Sequence, residues 1–407
     1  MVLEVFAISS LKYWVWLSSL SGVGVATTAK LLRYFSTPEK IFLASAHEYR
    51  NIEGIKPADI INLENKNLDI ANKTLTDCAD IGCRIITFQD AEYPDRLRNI
   101  YDPPIILYIR GNLPMVDEEP TVVIVGTRDC TPYGSKTAEN VGYQLARSGL
   151  LVVTGLARGI DSAAMRGALR GGGQVIGVIG SGLDIVYPAE NKALYRDVEA
   201  QGAIISEYPP GSKPVATHFP ARNRILSGIS LGVAVIEAPR RSGALITAAR
   251  ALEQGRDVFT LPGNVDASNN EGSNKLLREG AIPFLSGEDI IEEYAELFPD
   301  KIRFHNQPHM ITPDEKKGMK PDMEHRAKKE IDNISEVDYI DLDEITNKLT
   351  GDERTVANAI GTGIMLVDDV IINSGLSASS VLSALTILEI KGVAVREGSM
   401  YKLQRGL

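Results

Sequence analysis

Two arginines flank an asparagine in the segment HFPARNRILSG, at Arg222 and Arg224. A guanidinium is a planar fork of donors that suits phosphate and carboxylate groups, and it is costly to bury without a partner. The segment stands directly before the apolar run ISLGVAVIEA, which predicts a buried strand. The two arginines therefore bind an anion, unless one of them pairs internally with Asp161, Asp184 or Glu237, which the sequence leaves open.

Arginines also follow other predicted strands of the same region. Arg128 lies in GTRDCTPYG, Arg158 in GLARGID and Arg241 in APRRSGALIT. The carboxyl ends of parallel strands meet at one edge of a sheet, where the N–H groups of the following helices point outward. Arginines from four loops thus converge on one edge among glycines, which favours an anion-binding crevice.

The elements that position these residues repeat one unit. The runs TVVIVG, LVVTG, QVIGVIG, AIISEY, VAVIEA and VFTLPG are short and continuously apolar, as in parallel strands buried on both faces. Helical stretches separate them, and several end at a glycine before the next strand, as at Gly149, Gly202 and Gly255. The alternation predicts an α/β fold, an extended Rossmann-like doubly wound parallel sheet.

Composition narrows the class of protein. The chain has 407 residues and a net charge of −10, yet the span 126–256 holds 15 Lys/Arg against 10 Asp/Glu. A cationic centre in an acidic chain favours a confined anion site over a broad basic surface. Cys78, Cys83 and Cys130 form no disulfide framework or zinc pattern. The sequence contains neither a signal peptide nor a membrane-spanning run, so we expect a cytoplasmic protein without metal or membrane contact.

The motifs of common catalytic chemistry do not occur. GTRDCTPYG is not G-x-G-x-x-G, no acidic residue closes the second strand, and there is no P-loop or nucleophile elbow. Of the five histidines, only His218 falls in the α/β region. We therefore expect no cofactor and no enzymatic activity. The alternative is a Rossmann-like phosphoribohydrolase-type enzyme that binds a nucleotide at RRSGALIT and uses Glu237 or Glu207 as its catalytic carboxylate.

The flanks predict two smaller modules and a linker. Residues 1–75 hold a Gly-x-Gly turn between amphipathic helices, which fits either a helix-hairpin-helix (SAM-like) domain or an ordinary helical bundle. Residues 76–298 form the Rossmann-like domain, and the polar stretch 299–336 is typical of a linker. Residues 337–407 resemble a winged-helix module, with a short helix, a turn at Gly375, a second helix from Ser377 and two strands around EGS. Its second helix, SASSVLSALTILEIKG, carries one lysine, which favours a protein contact or a scaffold role over sequence-specific DNA readout.

Five motifs follow one another in the central region: VGTRDCTPYG, TGLARGIDSAA, VIGSGLDIVYPAEN, FPARNRILSG and SGALITAARALEQGRDVFTLPG, with GSNKLLREGA after them. In this order and spacing they resemble the bacterial DNA-processing protein A (DprA/Smf) family, from Tyr93 to about Phe298. The resemblance implies a non-enzymatic single-stranded DNA-binding protein that protects incoming strands in natural transformation. It also implies that the protein loads a RecA-type recombinase onto those strands.

The resemblance further implies which residues bind the strand. Its pocket would use the turn Gly126–Thr127–Arg128 and the segment from Phe219 to Arg224, with Phe219 either stacking on a base or packing in the core. The predicted nucleic-acid-binding residues are Gly126, Thr127, Arg128, Arg158, Lys213, Phe219, Arg222, Asn223, Arg224, Arg241, Ser242 and Gly243. Met165 stands where the family usually has histidine, so the role of that histidine is lost or changed here.

The implied assembly is a homodimer. A single crevice is short, and several pockets on one strand raise affinity through effective concentration. The contact with a second copy or with the recombinase is expected at the end of the α/β domain, around Ser273, Leu276, Leu277 and Arg278. A third possibility is a DNA-directed regulator that binds duplex DNA through residues 337–407.

Overall fold

The computed structural model describes residues 2–304, 349, 351–360, 364–391, 393–397 and 400–403. The chain divides into two units, Met1–Gln307 and Pro308–Leu407. From position 305 onward the predicted linker lies outside the described residues, and the predicted domain boundaries remain predictions. Among the described helices, none combines the length and apolar character that crossing a bilayer demands.

Six helices within residues 2–80 open the first unit. They are α1 (Val2–Ser19), α2 (Val25–Phe35), α3 (Pro38–Leu43), α4 (Ala46–Arg50), α5 (Pro57–Leu63) and α6 (Asp69–Asp80). Turns at Gly22 and Gly54 join α1 to α2 and α4 to α5. Trp16 and Tyr49 are fully buried, in the same core cluster as residues of one sheet face. These helices and the sheet therefore share one hydrophobic core.

A nine-stranded mixed sheet forms the centre of this unit. Its strands are β1 (Arg84–Thr87), β2 (Ile106–Gly111), β3 (Thr121–Val125), β4 (Leu151–Thr154), β5 (Val175–Ile179), β6 (Gly202–Ser206), β7 (Gly232–Val235), β8 (Asp257–Thr260) and β9 (Ile282–Pro283). Their order is β1-β2-β6-β5-β4-β3-β7-β8-β9. The seven strands β6-β5-β4-β3-β7-β8-β9 are all parallel to one another. The predicted doubly wound parallel sheet is confirmed, and β1 and β2 extend it antiparallel at one edge.

Helices cover both faces of the sheet. They are α7 (Asp95–Arg98), α8 (Pro132–Arg147), α9 (Ile160–Arg170), α10 (Lys192–Gln201), α11 (His218–Gly228), α12 (Gly243–Glu253), α13 (Glu271–Arg278) and α14 (Gly287–Ala295). Along β3, Val122 and Ile124 belong to one core cluster, whereas Val123 and Val125 belong to the other. Burial on both faces is the reason that the strand sequences are continuously apolar.

The strand order reverses at β3. The chain adds β4, β5 and β6 on one side of β3 and then returns to place β7 on the other side. The helices that follow β3 and β7 pack on opposite faces, since α8 contributes to one core cluster and α12 to the other. A crevice opens between two such connections, beyond the carboxyl ends of their strands. The predicted arginine-bearing loops lie at this edge.

The described part of the second unit is a small module of helices and strands. It contains α15 (Gly351–Ile360), β10 (Ile364–Leu366), α16 (Val367–Ser374), α17 (Ala378–Ile390), β11 (Ala394–Glu397) and β12 (Met400–Leu403), with strand order β10-β12-β11. Ser377 caps α17 by accepting a hydrogen bond from the Ser380 N–H at 3.2 Å. The predicted pair of helices followed by two strands is confirmed, and α15 and β10 add to it.

Candidate functional site

A cavity of about 330 Å³ opens at the switch point between β3 and β7. Nine of the twelve predicted binding residues line it, namely Gly126, Thr127, Arg128, Phe219, Arg222, Asn223, Arg241, Ser242 and Gly243. Arg158, Lys213 and Arg224 do not. We call the outer residues Arg128, Phe219 and Arg241 the cavity rim. The buried lining residues Asp161, Arg222, Asn223 and Thr247 form the cavity floor.

The segment with the two arginines is helical from its first residue. Helix α11 begins at His218 and has Pro220 in its first turn, where no helical hydrogen bond is lost. Successive helical residues are turned by about 100°, so residues two positions apart do not share a face. Arg222 therefore points into the cavity and Arg224 points away from it.

Arg222 is held at the floor by the backbone. Its guanidinium donates hydrogen bonds to the carbonyl oxygens of Gly155, at 3.0 Å, and Val178. A Cβ at position 155 would lie 2.5 Å from the guanidinium, so a larger residue there would displace Arg222. Burial lowers the pKa of Arg222 and raises the pKa of the neighbouring Asp161 carboxyl, and each charge partly offsets the shift of the other. Several donors of Arg222 are thus engaged within the protein.

Arg224 has no access to the cavity. Its guanidinium lies 2.7 Å from the Glu207 carboxylate and 3.1 Å from that of Asp102, and only 7% of its side chain is exposed. Burial opposes its charge, but these carboxylates hold the pKa of Arg224 above its ordinary value. One of the two arginines therefore does pair within the protein. Its partners are Glu207 and Asp102 and not the Asp161, Asp184 or Glu237 that the sequence suggested. The expectation that Arg224 stands at the crevice mouth is wrong.

The rim carries accessible cations and an aromatic platform. The Arg128 guanidinium lies over the Phe219 ring, 5.1 Å from its centroid. Arg128 and Arg241 are exposed, and neither side chain forms an ion pair or a hydrogen bond with another described residue. The ring of Tyr187, 42% exposed, is centred 5.7 Å from that of Phe219. Tyr187 is not among the residues predicted from the sequence, although an aromatic residue in the loop after β5 was the available signal.

Close packing fixes the turn that carries Arg128. A Cβ on Gly126 would lie 2.5 Å from the Ile160 side chain, so α9 approaches the turn closely. Thr127 donates its backbone N–H to the Glu237 carbonyl at 2.8 Å, which ties the turn to the end of β7. Arg128 therefore projects from a rigid base.

The start of α12 closes the cavity opposite this turn. Ser242 caps the helix by accepting a hydrogen bond from the Ala244 N–H at 3.2 Å, and Gly243 is the first helical residue. A helix N-terminus carries free N–H groups and a partial positive charge, so this wall favours electron-rich groups. One turn further on, Thr247 lines the floor. Thr247 is not among the residues predicted from the sequence, although its position on the first turns of a helix after a glycine-containing loop was the available signal.

Two predicted residues lie away from the cavity. The Arg158 Nε is 2.7 Å from the Glu190 carboxylate, and both side chains are more than half exposed. Lys213 is exposed in the loop before α11. An exposed ion pair of this kind contributes little to stability. Lys213 therefore adds positive charge to the same edge, whereas Glu190 offsets the charge of Arg158, and neither residue lines the cavity.

The carboxylates of the alternative enzyme hypothesis are engaged elsewhere. Glu237 accepts hydrogen bonds from the Thr131 N–H, at 2.9 Å, and from the Thr131 hydroxyl, at the start of α8. Glu207 pairs with Arg224. Among the described residues that line the cavity, Asp161 supplies the only carboxylate, and it is buried near the Arg222 guanidinium. The geometry therefore does not favour catalysis by Glu237 or Glu207 on a ribose in this cavity.

Two residues of the predicted partner contact are not on the surface. Ser273 and Leu276 are 0% and 7% exposed, because α13 turns them toward the sheet, where the Ser273 N–H bonds to the Ala238 carbonyl at 3.2 Å. The expectation is wrong for these two. Leu277 is half-buried and Arg278 exposed, so they are the accessible part of that set.

Met165, at the position of the family's usual histidine, lies in α9 and is fully buried in the core. A thioether fills apolar space well and forms only weak hydrogen bonds. This position therefore serves packing here and does not line the cavity.

The second unit offers few positive charges on its described helices. On α17, Leu382 is 50% exposed, and Ser383 and Thr386 are exposed beside it. Lys391, just past the end of this helix, lies 2.6 Å from the Glu353 carboxylate. A neutral helix face does not attract a phosphate backbone, which agrees with the expectation of a protein contact or a scaffold role.

The sheet order and the site together define a class, namely a Rossmann-like α/β protein with an arginine-rimmed cavity at its topological switch point. A family model described as DNA recombination-mediator protein A matches residues 84–295, and one described as DprA winged helix domain matches residues 343–399. The chain belongs to the DNA recombination-mediator protein A family.

Relatives and a solved structure agree with this assignment. DNA processing protein DprA of Streptococcus pneumoniae is 46% identical over 202 residues, which cover 50% of this chain and 71% of the relative. DprA of Bacillus subtilis is 40% identical over 215 residues, 53% of this chain and 72% of the relative. The X-ray structure of the Streptococcus pneumoniae protein matches with a TM-score of 0.62 and 35% identity, and covers 72% of this chain and 99% of its own. The family inferred from the five motifs is confirmed.

Proposed function

We propose that this chain binds single-stranded DNA at the cavity rim and catalyses no reaction on it. The observation that carries the proposal is the placement of the Arg128 guanidinium over the Phe219 ring, with Arg241 on the same cavity and Tyr187 beside it. Single-strand binders combine cationic groups for the phosphates with aromatic rings on which bases stack. In a duplex the bases are already stacked inside, so such a rim suits a single strand better.

The biological role that we propose follows from the family. Its members are described as mediators of recombination, which supports protection of incoming strands and loading of a RecA-type recombinase during natural transformation. A homodimer would place two cavities on one strand and raise affinity through effective concentration. Leu277 and Arg278 are the accessible residues at which we propose the partner contact.

Strand binding is tested by fluorescence anisotropy with a labelled single strand and the matching duplex. We expect tighter binding of the single strand, and log K falling with log salt by about 0.7 for each phosphate neutralised. Arg128→Glu should weaken binding at least about tenfold, because it replaces an attractive charge by a repulsive one. Arg250→Glu is the matched control, since Arg250 is an exposed arginine paired with Glu253 outside the cavity. Equal losses in both variants contradict the proposal.

Recombinase loading is tested separately, by the ATPase rate of a RecA-type recombinase on strands coated with a single-strand-binding protein. We expect the chain to shorten the lag before ATP hydrolysis, and Arg128→Glu to restore the lag. Leu277→Asp should lower the dimer fraction in sedimentation velocity, because a buried charge in a contact is unfavourable. An unchanged lag with intact strand binding rejects loading and leaves the first proposal standing.

A further inference from the structure

The turn at the end of α6 brings two cysteines together. The Cys83 N–H bonds to the Cys78 carbonyl at 2.8 Å, and inside this bond the Gly82 N–H bonds to the Ala79 carbonyl at 3.2 Å. Gly82 takes the left-handed conformation, with a φ of 65°. These features define a Schellman motif, in which the side chains of the first and last residues of the turn contact each other. Here those two residues are Cys78 and Cys83.

The two thiols interact directly but differ in their surroundings. Cys78 is only 3% exposed and belongs to the core that the first six helices share with the sheet, whereas Cys83 packs against that core and is half-buried. The hydrogen bond that the Cys78 thiol donates to Cys83, together with burial, raises the pKa of Cys78. The same hydrogen bond, helped by one from the Ile109 N–H and opposed by burial, lowers the pKa of Cys83. Cys83 is therefore the thiol that reaches solvent and ionises more easily.

The turn meets the geometric requirement for a cross-link. Both cysteines are free thiols in this structure. A disulfide needs two cysteines whose Cα atoms are close and whose side chains point toward each other. The contact across the Schellman motif provides this within one turn, so no distant segment of the chain has to move. Cys130, the third cysteine of the chain, lies instead in the loop between β3 and α8.

We propose that Cys78 and Cys83 form a reversible redox site, which a low-molecular-weight disulfide oxidises to an intramolecular disulfide. The Cys83 thiolate attacks one sulfur of the reagent, whose S–S bond breaks and releases a thiolate that takes up the proton lost by Cys83. Cys78 then gives up its proton, attacks the Cys83 sulfur and displaces the second half of the reagent as a thiol. Two electrons thus pass from the two cysteines to the reagent, which leaves as two thiols.

The product would cross-link the end of α6 to the residue that precedes β1, where the helical part of the first unit meets the sheet. Intracellular disulfides are usually transient and redox-sensing, and a pair with one partly accessible thiol and one buried thiol suits that use. Neither cysteine lines the cavity, so this inference does not depend on the proposed function.

The test equilibrates the full chain with oxidised and reduced glutathione at fixed total concentration, then alkylates free thiols, digests with trypsin and measures peptide masses. Trypsin cuts after Lys73 and Arg84, so the peptide 74–84 carries both cysteines. The disulfide appears as an unalkylated peptide lighter by two hydrogen atoms. We expect half of it to form at an oxidised share of glutathione at least about tenfold lower than the share that modifies Cys130, because each thiol holds the other at a high effective concentration. An excess of reduced glutathione should reverse it.

Two variants separate the steps of the reaction. In Cys78→Ala, which keeps a small apolar side chain in the core, Cys83 should accumulate as a mixed disulfide with glutathione because no second thiol displaces it. In Cys83→Ser, the buried Cys78 should stay a free thiol.

The wild-type titration decides the proposal even if a variant fails to fold. If the pair and Cys130 are modified at the same share of oxidised glutathione, the two thiols only fill the contact across the turn, and the proposal is overturned. A wild-type chain that stops at the mixed disulfide on Cys83 overturns it as well. A mixed disulfide on Cys78 in folded Cys83→Ser contradicts the assignment of Cys83 as the attacking thiol.

Discussion

The cavity floor and the cavity rim both carry guanidinium groups, yet the two regions use them in opposite ways. At the floor Arg222 donates hydrogen bonds to two backbone carbonyls, and the charge of Asp161 attracts it. At the rim Arg128 and Arg241 are exposed and lack a carboxylate partner among the described residues. Where burial removes water, the fold has to supply the partner. Where water remains, the cation stays available for a phosphate.

Arg222→Ala tests the floor and should have the largest effect. It leaves the buried Gly155 and Val178 carbonyls without their donor, and each buried polar group left without a partner costs about 1–3 kcal/mol of unfolding free energy. Urea unfolding followed by circular dichroism measures this. Arg128→Ala at the rim should stay within about 0.5 kcal/mol of the wild type. Similar losses in both variants would erase the distinction between floor and rim.

Arg224→Met tests whether Arg224, like Arg222 at the floor, stabilises the fold and does not bind the strand. The substitution removes the partner of Glu207 and Asp102. Because water reaches both carboxylates in part, the expected loss of unfolding free energy is smaller than for Arg222→Ala, about 1–3 kcal/mol. The affinity of the folded variant for a single strand should be unchanged. A loss of affinity at wild-type stability would return Arg224 to the binding site.

Arg128→Ala and Arg241→Ala sharpen the picture of the rim. Each should weaken single-strand binding about tenfold, or about 1.4 kcal/mol, and lower the salt slope by about 0.7 because one phosphate contact is lost. Affinity titrations over a range of salt concentrations give both quantities. A weakened affinity with an unchanged slope would assign these arginines a role other than phosphate binding.

Phe219→Leu separates the aromatic part of the rim from its charges. Leucine keeps apolar contact but not a stacking face, so the affinity should fall about fivefold with the salt slope unchanged. The same titrations check it, and quenching of a fluorescent base analogue in the strand should decrease in parallel. If Phe219 only packs in the protein, the variant will lose stability and keep its affinity.

Arg158→Ala should have the smallest effect. Arg158 is on the same edge but outside the cavity, and it already pairs with Glu190. Its affinity for a single strand should stay within about twofold of wild type, because an exposed ion pair is weak and easily screened. A loss as large as that of Arg128→Ala would extend the rim to this loop.

Much of the molecule follows from local sequence. Continuous apolar runs predicted the parallel strands, and the two-helix, two-strand pattern predicted the second module, because both depend on short-range periodicity. The same strand pattern placed Arg128 in the loop after TVVIVG, whereas the family resemblance supplied the turn Gly126–Thr127–Arg128 as part of the pocket. The antiparallel strands β1 and β2 were not, since edge pairing of short strands depends on distant partners.

The sequence alone determined the α/β alternation, the loops that carry the arginines, and the family. Only the tertiary structure decided which arginines are free. The carbonyl partners of Arg222 are 67 and 44 residues away in the chain, and Glu207 is 17 residues from Arg224. No local pattern encodes such pairs. Long-range folding sets which charges are buried, and burial decides whether a guanidinium is bound within the protein or left for a ligand.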